Sequence, residues 1–396
     1  MRLDFTPEQE ALRKELQAYF IEFMTPELKE ELSVEFGGEG GGPEWRKAMR
    51  KLGGDGWIGI GWPKEYGGHG KSAIEQYIFT EEIMRAGFPY PFLTTESVGP
   101  TLAEFANDDM KEEMIPKILG GEINIAIGYS EPGAGTDLAA LKTRAVKDGN
   151  EYVINGQKIF TSLAEFADYI WLAARTDDNP DIKKHKGISM FLIPFNTPGI
   201  EFTPIWTLGS VRTNATYYQD VRVPASCLVG GENKGWKMIT SQLNRERLAL
   251  VTHGPTYTLF NNVCQWARET NLPNGQRIID QPWVQMNLAK IQTGLEAIKL
   301  VCYKQAWAIA NGNLDMADAS AAKVYGSEFF VEAFRMMGEI LGNTSTLTPQ
   351  SHATVLRGKV ERMYRTVSIL TFGGGTNEIQ RDIISAAGLW IPRADR

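Results

Sequence analysis

Ile123–Glu131 reads INIAIGYSE, and Glu151–Ser162 reads EYVINGQKIFTS. Both stretches are rich in β-branched and aromatic residues and have the length of a strand. The turn pair Asp148–Gly149 lies between them, and Asn155–Gly156 marks a second turn signal. Four runs of the same character follow: Tyr169–Thr176, Ile188–Phe195, Ile200–Thr207 and Tyr217–Val229. Their spacing predicts an all-β segment over 123–235 and suggests a barrel or sandwich.

The periodicity changes on either side. Toward the N-terminus, Thr6, Pro7 and Gln9 form a helix-start signature, and Leu12, Leu16, Tyr19/Phe20 and Phe23 recur at helical spacing. A Gly-rich break at Phe36–Pro43 reads as a loop, and a second helical stretch runs from Ser72 to Ala86. Beyond Gly235, Val284, Leu288, Ile291, Leu295, Ile298 and Cys302 form one long stripe, and Leu356, Val360, Met363 and Val367 form another. The expected fold is therefore α+β and multidomain. It has an N-terminal helical domain (1–122), a middle β-barrel-like domain (123–235) and a C-terminal four-helix bundle (236–396).

Composition narrows the function classes. The 396 residues include 41 Lys and Arg against 48 Asp and Glu, a formal charge of −7. A nucleic-acid binder would show a basic face instead. The N-terminal MRLDFTPEQEALRKEL carries charges throughout and has no apolar signal-peptide core, and no run is long enough to span a membrane. Cys227, Cys264 and Cys302 are isolated, and the four histidines lack helical metal-site spacing. The expectation is a cytoplasmic protein without a structural metal.

Three stretches carry potential chemistry. Tyr129–Asp137, YSEPGAGTD, ends a predicted strand with a Pro-Gly-Ala-Gly path. Its main-chain N–H groups, with the Ser130 and Thr136 hydroxyls, can meet a phosphate or a heteroaromatic edge; a plain turn is the simpler alternative. Phe372–Arg381, FGGGTNEIQR, breaks a helix and restarts it at Thr376, either as an anion site or as a corner. Asn244–Arg247, NRER, lies on a helix among Leu243, Leu248, Leu250 and Val251. A carboxylate in such company is disfavoured in its charged form, which suits a general base.

Together these motifs resemble the acyl-CoA dehydrogenase family over essentially the whole chain. The resemblance implies an FAD enzyme that desaturates an acyl-CoA thioester. A glutamate removes the α-proton, and the β-hydrogen leaves as hydride to flavin N5. It also implies that Ser130 and the Tyr129 backbone meet the flavin's pyrimidine edge, with Gly135 in the same loop and Thr136 at the pyrophosphate. Phe160 and Ser162 would face the ring and N5, while Thr376 and Glu378 would reach the adenosine side.

Three departures from the family pattern are informative. Gly374 stands where many members keep the base, whereas Leu243–Arg247 (LNRER) resembles the isovaleryl-type branch. That likeness places the base at Glu246, with Asn244 and Arg247 near the thioester and pantetheine. An Arg-x-x-Phe flavin clamp is replaced by Asn271 and Asn274, and a Gln-x-x-Gly-Gly element is replaced around Met337–Gly342. The missing pieces imply a homologous partner subunit in an α2β2 assembly. The stretches GWPKEYGGHGKSA, TNATYYQDVRVP and LTFGGGTNEIQRDII are most similar to the catalytic subunit of heteromeric steroid side-chain acyl-CoA dehydrogenases of actinobacteria. An electron-transferring flavoprotein would then accept the electrons. An acyl-CoA oxidase and a non-catalytic scaffold subunit are the alternatives.

Overall fold

The computed structural model describes residues 4–33, 40–209 and 211–392, and only the backbone over 244–250. Phe36–Glu39 of the expected Gly-rich loop lie outside the described residues.

α1 (Pro7–Phe23) starts as its sequence dictates. Thr6 Oγ1 accepts the Gln9 N–H at 3.3 Å, and Gln9 Oε1 accepts the Thr6 N–H at 3.0 Å. Leu16, Phe20 and Phe23 form its buried face. α2 (Pro26–Ser33), α3 (Pro43–Gly54) and α4 (Ala73–Arg85) close one core around Trp45, Leu52 and Phe79. Ser72 and Glu75 cap α4 with a second capping box. A π-helical turn, Leu93–Val98, leads into α5 (Gly99–Phe105), and α6 (Asp108–Leu119) follows.

The strands are β1 (Ile125–Gly128), β2 (Arg144–Asp148), β3 (Glu151–Lys158), β4 (Tyr169–Arg175), β5 (Ile188–Pro194), β6 (Ile200–Trp206), β7 (Arg212–Pro224) and β8 (Leu228–Val229). The expected barrel is not formed. The order is β6-β7-β3-β2-β4-β5-β8, with β1 added to β4, so β6 and β8 end the sheet rather than meeting. β4 is the reason. It pairs with β5 along its whole length and takes β1 in parallel, but it touches β2 only through Arg144 opposite Arg175. β1 takes that edge of β4 over Tyr169–Leu172, which leaves β2 only the Arg175 end.

Burial on both faces explains the unbroken apolar run of β4, since such a strand loses its alternation. Ile170, Leu172 and Ala174 join a core with Tyr152, Ile154, Phe191 and Tyr218. Trp171 and Ala173, on the other face, pack with residues of α5, α6 and the next helix.

That helix is α7 (Gly235–Leu250), followed by α8 (Gly254–Glu269), α9 (Pro282–Ala310), α10 (Met316–Leu341), α11 (Lys359–Thr366) and α12 (Asn377–Ile383). All six residues of the α9 stripe are buried. The second stripe is less regular. Leu356 sits at positive φ in a short turn before α11, and only Val360 and Val367 are fully buried. The three cysteines are buried and free. Among the described residues, no helix is long and apolar enough to cross a membrane. The architecture is α+β, with helices before and after an open mixed sheet.

Candidate active site at the ends of β1 and β3

The first two sequence motifs meet at one point. β1 runs into Tyr129–Asp137, and the Ser130 carbonyl accepts the Ile159 N–H at 2.9 Å, one residue beyond β3. Glu131 and Ala134 exchange two backbone hydrogen bonds of 3.0 Å, which close the Pro-Gly turn. The Glu131 carboxylate then ties the loop down from beneath. It accepts the Lys142 N–H (2.6 Å), the Thr143 N–H (2.8 Å) and Lys158 Nζ (2.8 Å). Lys158 is fully buried and also donates to the Tyr129 carbonyl at 3.0 Å.

Burial pushes the Lys158 ammonium down to about 8, against the pull of Glu131. Burial likewise opposes ionisation of Glu131. The Lys158 charge and the hydrogen bonds outweigh it and hold the carboxyl below the usual range. Sequence reasoning missed this pair, although β3 carried a signal. Tyr152, Ile154 and Lys158 share its inward phase, and a lysine there needs a buried partner.

Above this anchor the loop is open. Pro132, Gly133, Gly135 and Thr136 are exposed, and a Cβ added at Gly133 or Gly135 would meet no atom within 4 Å. Phe160 projects at φ 63° with 61% of its surface exposed. Ser162 Oγ lies 3.2 Å from Thr213 Oγ1. Next to it, Asn214 donates to the Thr161 carbonyl and to Glu165, but its Oδ1 is buried without a partner among the described residues. Ser162 also lines a cavity of about 50 Å³, together with Tyr90, Leu93, Thr94, Asn124 and Leu163. Tyr129, Ser130, Gly135, Thr136, Phe160 and Ser162 are thus gathered at one end of the sheet.

The other predicted residues lie elsewhere. Thr376 caps α12 by accepting the Ile379 N–H at 3.3 Å, and Glu378 is exposed on the same helix. Gly374 and Gly375 turn the corner at φ 67° and 98°, a region open mainly to glycine. The buried Lys323 of α10 fastens that corner, donating to the Gly375 carbonyl (2.7 Å) and Asn377 Oδ1 (2.8 Å). No hydrogen bond among the described residues joins Thr376 or Glu378 to the Tyr129–Asp137 loop. The backbone of Asn244, Glu246 and Arg247 is in α7, and their side chains lie outside the described residues.

An open Gly-containing loop beside a projecting aromatic ring can receive a flat heteroaromatic cofactor, as a flavin-dependent oxidoreductase requires. Comparison with known proteins fixes the family. Residues 6–122, 126–221 and 233–389 match the N-terminal, middle and C-terminal domains of acyl-CoA dehydrogenase. The chain is 50% identical to acyl-CoA dehydrogenase FadE26 of Mycobacterium tuberculosis and 43% identical to FadE29 of the same organism, each over the full length of both chains. It superposes on a chain of the ChsE4–ChsE5 complex of Mycobacterium tuberculosis with a TM-score of 0.92 and 49% identity. A chain of the Tcur3481–Tcur3483 steroid ACAD gives 0.92 and 46%, and coverage is complete in both cases. The chain belongs to the acyl-CoA dehydrogenase family and is an FAD-dependent dehydrogenase.

The residues present fit that cofactor. The open main chain at Gly133 and Gly135, the Ser130 and Thr136 hydroxyls and the unpartnered Asn214 Oδ1 offer polar groups. Phe160 offers an aromatic face.

Proposed function

We propose that the chain is the catalytic subunit of a heteromeric cytoplasmic dehydrogenase that desaturates a steroid side-chain acyl-CoA, with Glu246 as the base. The observation that carries this reading is the full-length similarity to both chains from the ChsE4–ChsE5 complex and the steroid ACAD. The clamp positions support the heteromer. Asn274 is engaged in its own turn, accepting the Gln276 N–H at 3.0 Å, and Arg277 is paired in two contacts with Asp280. Met337, Ile340 and Leu341 are buried in the last turns of α10 rather than offered to a neighbour. A homologous subunit in an α2β2 assembly supplies the missing groups, and an electron-transferring flavoprotein takes the electrons.

In this reading Tyr129, Ser130, Gly135, Thr136, Phe160 and Ser162 hold FAD, and Thr376 and Glu378 serve its adenosine side. Asn244 and Arg247 face the thioester. Bound FAD supplies the acceptor for a hydride. The protein's own task is the proton. The thioester carbonyl acidifies the α-C–H, and the Glu246 carboxylate accepts that proton. The electron pair left on the α-carbon forms the Cα=Cβ bond as the β-hydrogen departs with its two electrons.

Glu246→Gln in the co-expressed complex keeps the side-chain volume and removes the base. Flavin bleaching by a steroid side-chain CoA thioester is expected to slow by roughly 10²–10⁴-fold. Bleaching at near wild-type rate removes the base assignment. Faster bleaching by a straight-chain acyl-CoA than by the steroid thioester removes the substrate assignment.

A further inference from the structure

Gln242 lies on α7 one helical turn before Glu246 and is fully buried. Its amide joins three elements. Oε1 accepts the Tyr129 hydroxyl and, at 3.0 Å, Trp171 Nε1 of β4; Nε2 donates to Ser97 Oγ at 2.9 Å. Trp171 Nε1 also reaches the Tyr129 hydroxyl at 2.9 Å, so Tyr129, Trp171 and Gln242 contact one another pairwise. Trp171 and Ser97 are fully buried, and Tyr129 is 9% exposed.

These partners have places in the reaction centre. Tyr129 opens the YSEPGAGTD loop. Ser97 belongs to the Leu93–Val98 π-helical turn, whose Leu93 and Thr94 line the cavity beside Ser162.

Packing alone does not call for an amide here. The surrounding core contains Val98, Leu102, Met238 and Ile239, which a leucine or methionine would complement. A buried amide left without partners is costly, whereas one with fixed donors and acceptors defines a single register between the elements it joins. Side chains four residues apart lie on the same helix face, about 6 Å apart along the axis. Whatever fixes Gln242 therefore fixes the point on α7 from which residue 246 projects.

We propose that Gln242 is a positioning residue that registers the base-bearing turn of α7 against the flavin loop and the wall of the cavity beside Ser162. This rests on the reading of Glu246 as the base.

The test uses the co-expressed holoenzyme with Gln242→Leu, Ser97→Ala and, as a control on the underlying reading, Glu246→Gln. Gln242→Leu is expected to slow flavin reduction roughly 10- to 100-fold, the scale of a misplacement of about 1 Å. Substrate KM and FAD content should stay within about threefold. The kinetic isotope effect with substrate deuterated at the α-carbon should rise, because proton removal becomes the limiting step. Ser97→Ala removes one tether without touching α7 and should shift rate and isotope effect the same way, by a smaller factor. It keeps the proposal testable if Gln242→Leu does not fold. A reduction rate within threefold of wild type, or a slower rate with an unchanged isotope effect, overturns the proposal. Wild-type bleaching by Glu246→Gln would instead overturn the base assignment, an outcome read from a different variant.

Discussion

Glu96 shows how a single residue in this fold couples to pH. It sits in the π-helical turn beside the cavity. Gln76 Nε2 donates to its carboxyl at 2.7 Å and the Tyr90 hydroxyl at 3.3 Å. Enclosure of the carboxyl pushes it up to about 7, and the hydrogen bonds from Tyr90, Gln76 and Thr95 offset only part of the rise. The sign follows from proton binding. Between about 4.5 and 7 the folded state holds a proton on Glu96 that the unfolded state has released, so stability contributed by this group falls as pH rises through that window. The full shift corresponds to about 3 kcal/mol. Glu96 keeps some solvent access as a residue, so about 1–2 kcal/mol is the figure to expect. Glu96→Gln should therefore be more stable than wild type at pH 8 by about that amount and show no advantage near pH 4.5. Urea unfolding at the two pH values checks it, and an equal difference at both would mean that Glu96 does not titrate in this window.

At the scale of elements, β3 does more than extend the sheet, because its last residue holds the loop after β1. Lys158→Met leaves the Glu131 carboxylate buried without its cation, held by the Lys142 and Thr143 donors. Breaking a buried pair from one side costs about 3–5 kcal/mol, and the Lys158→Met/Glu131→Gln double variant should recover part of it. Chemical unfolding and FAD release of the four members of this cycle measure both effects. A loss below about 0.5 kcal/mol would show that Lys158 does not brace the loop.

This strut was not legible in the sequence, whereas the capping box at Thr6, the helix starting at Ser72, the α9 stripe and the Thr376 cap were. The difference is one of range. Caps and helical stripes are settled within a few residues, but Lys158–Glu131 and Gln242–Ser97 join residues 27 and 145 positions apart. The barrel expectation failed for the same reason. Six strand-like runs were readable, but β2 was not among them, and how the strands pair depends on the parallel β1–β4 pair and the single-residue β2–β4 contact. The site motifs were readable as loops, but it takes the Ser130–Ile159 and Lys158 contacts to bring two of them together.

The whole molecule presents a surface that its own fold does not use. On α9 the buried stripe centres on one side, and Trp283, Met286, Leu300 and Trp307 lie opposite it within roughly 120° of arc at 100° per residue. Their exposures are 50%, 58%, 42% and 53%, and Phe372 at the glycine corner adds 58%. Large aromatic side chains grouped on one helix face mark an interaction surface, since scattered exposed residues would not repeat in phase. Asn271–Arg277 closes back on itself and the end of α10 is buried, so in the proposed reading neither segment clamps a second copy's flavin. A homologous subunit that retains those groups fits both observations. The expected outcome is that the chain expressed alone is poor in FAD and self-associates. Co-expressed with such a subunit it should elute as an α2β2 species carrying one FAD per αβ pair, which light scattering and the ratio of flavin to protein absorbance would report. A stable, fully FAD-loaded and active homotetramer of this chain alone would overturn the heteromeric reading, and the Glu246→Gln and Gln242→Leu experiments would then be carried out on that homotetramer.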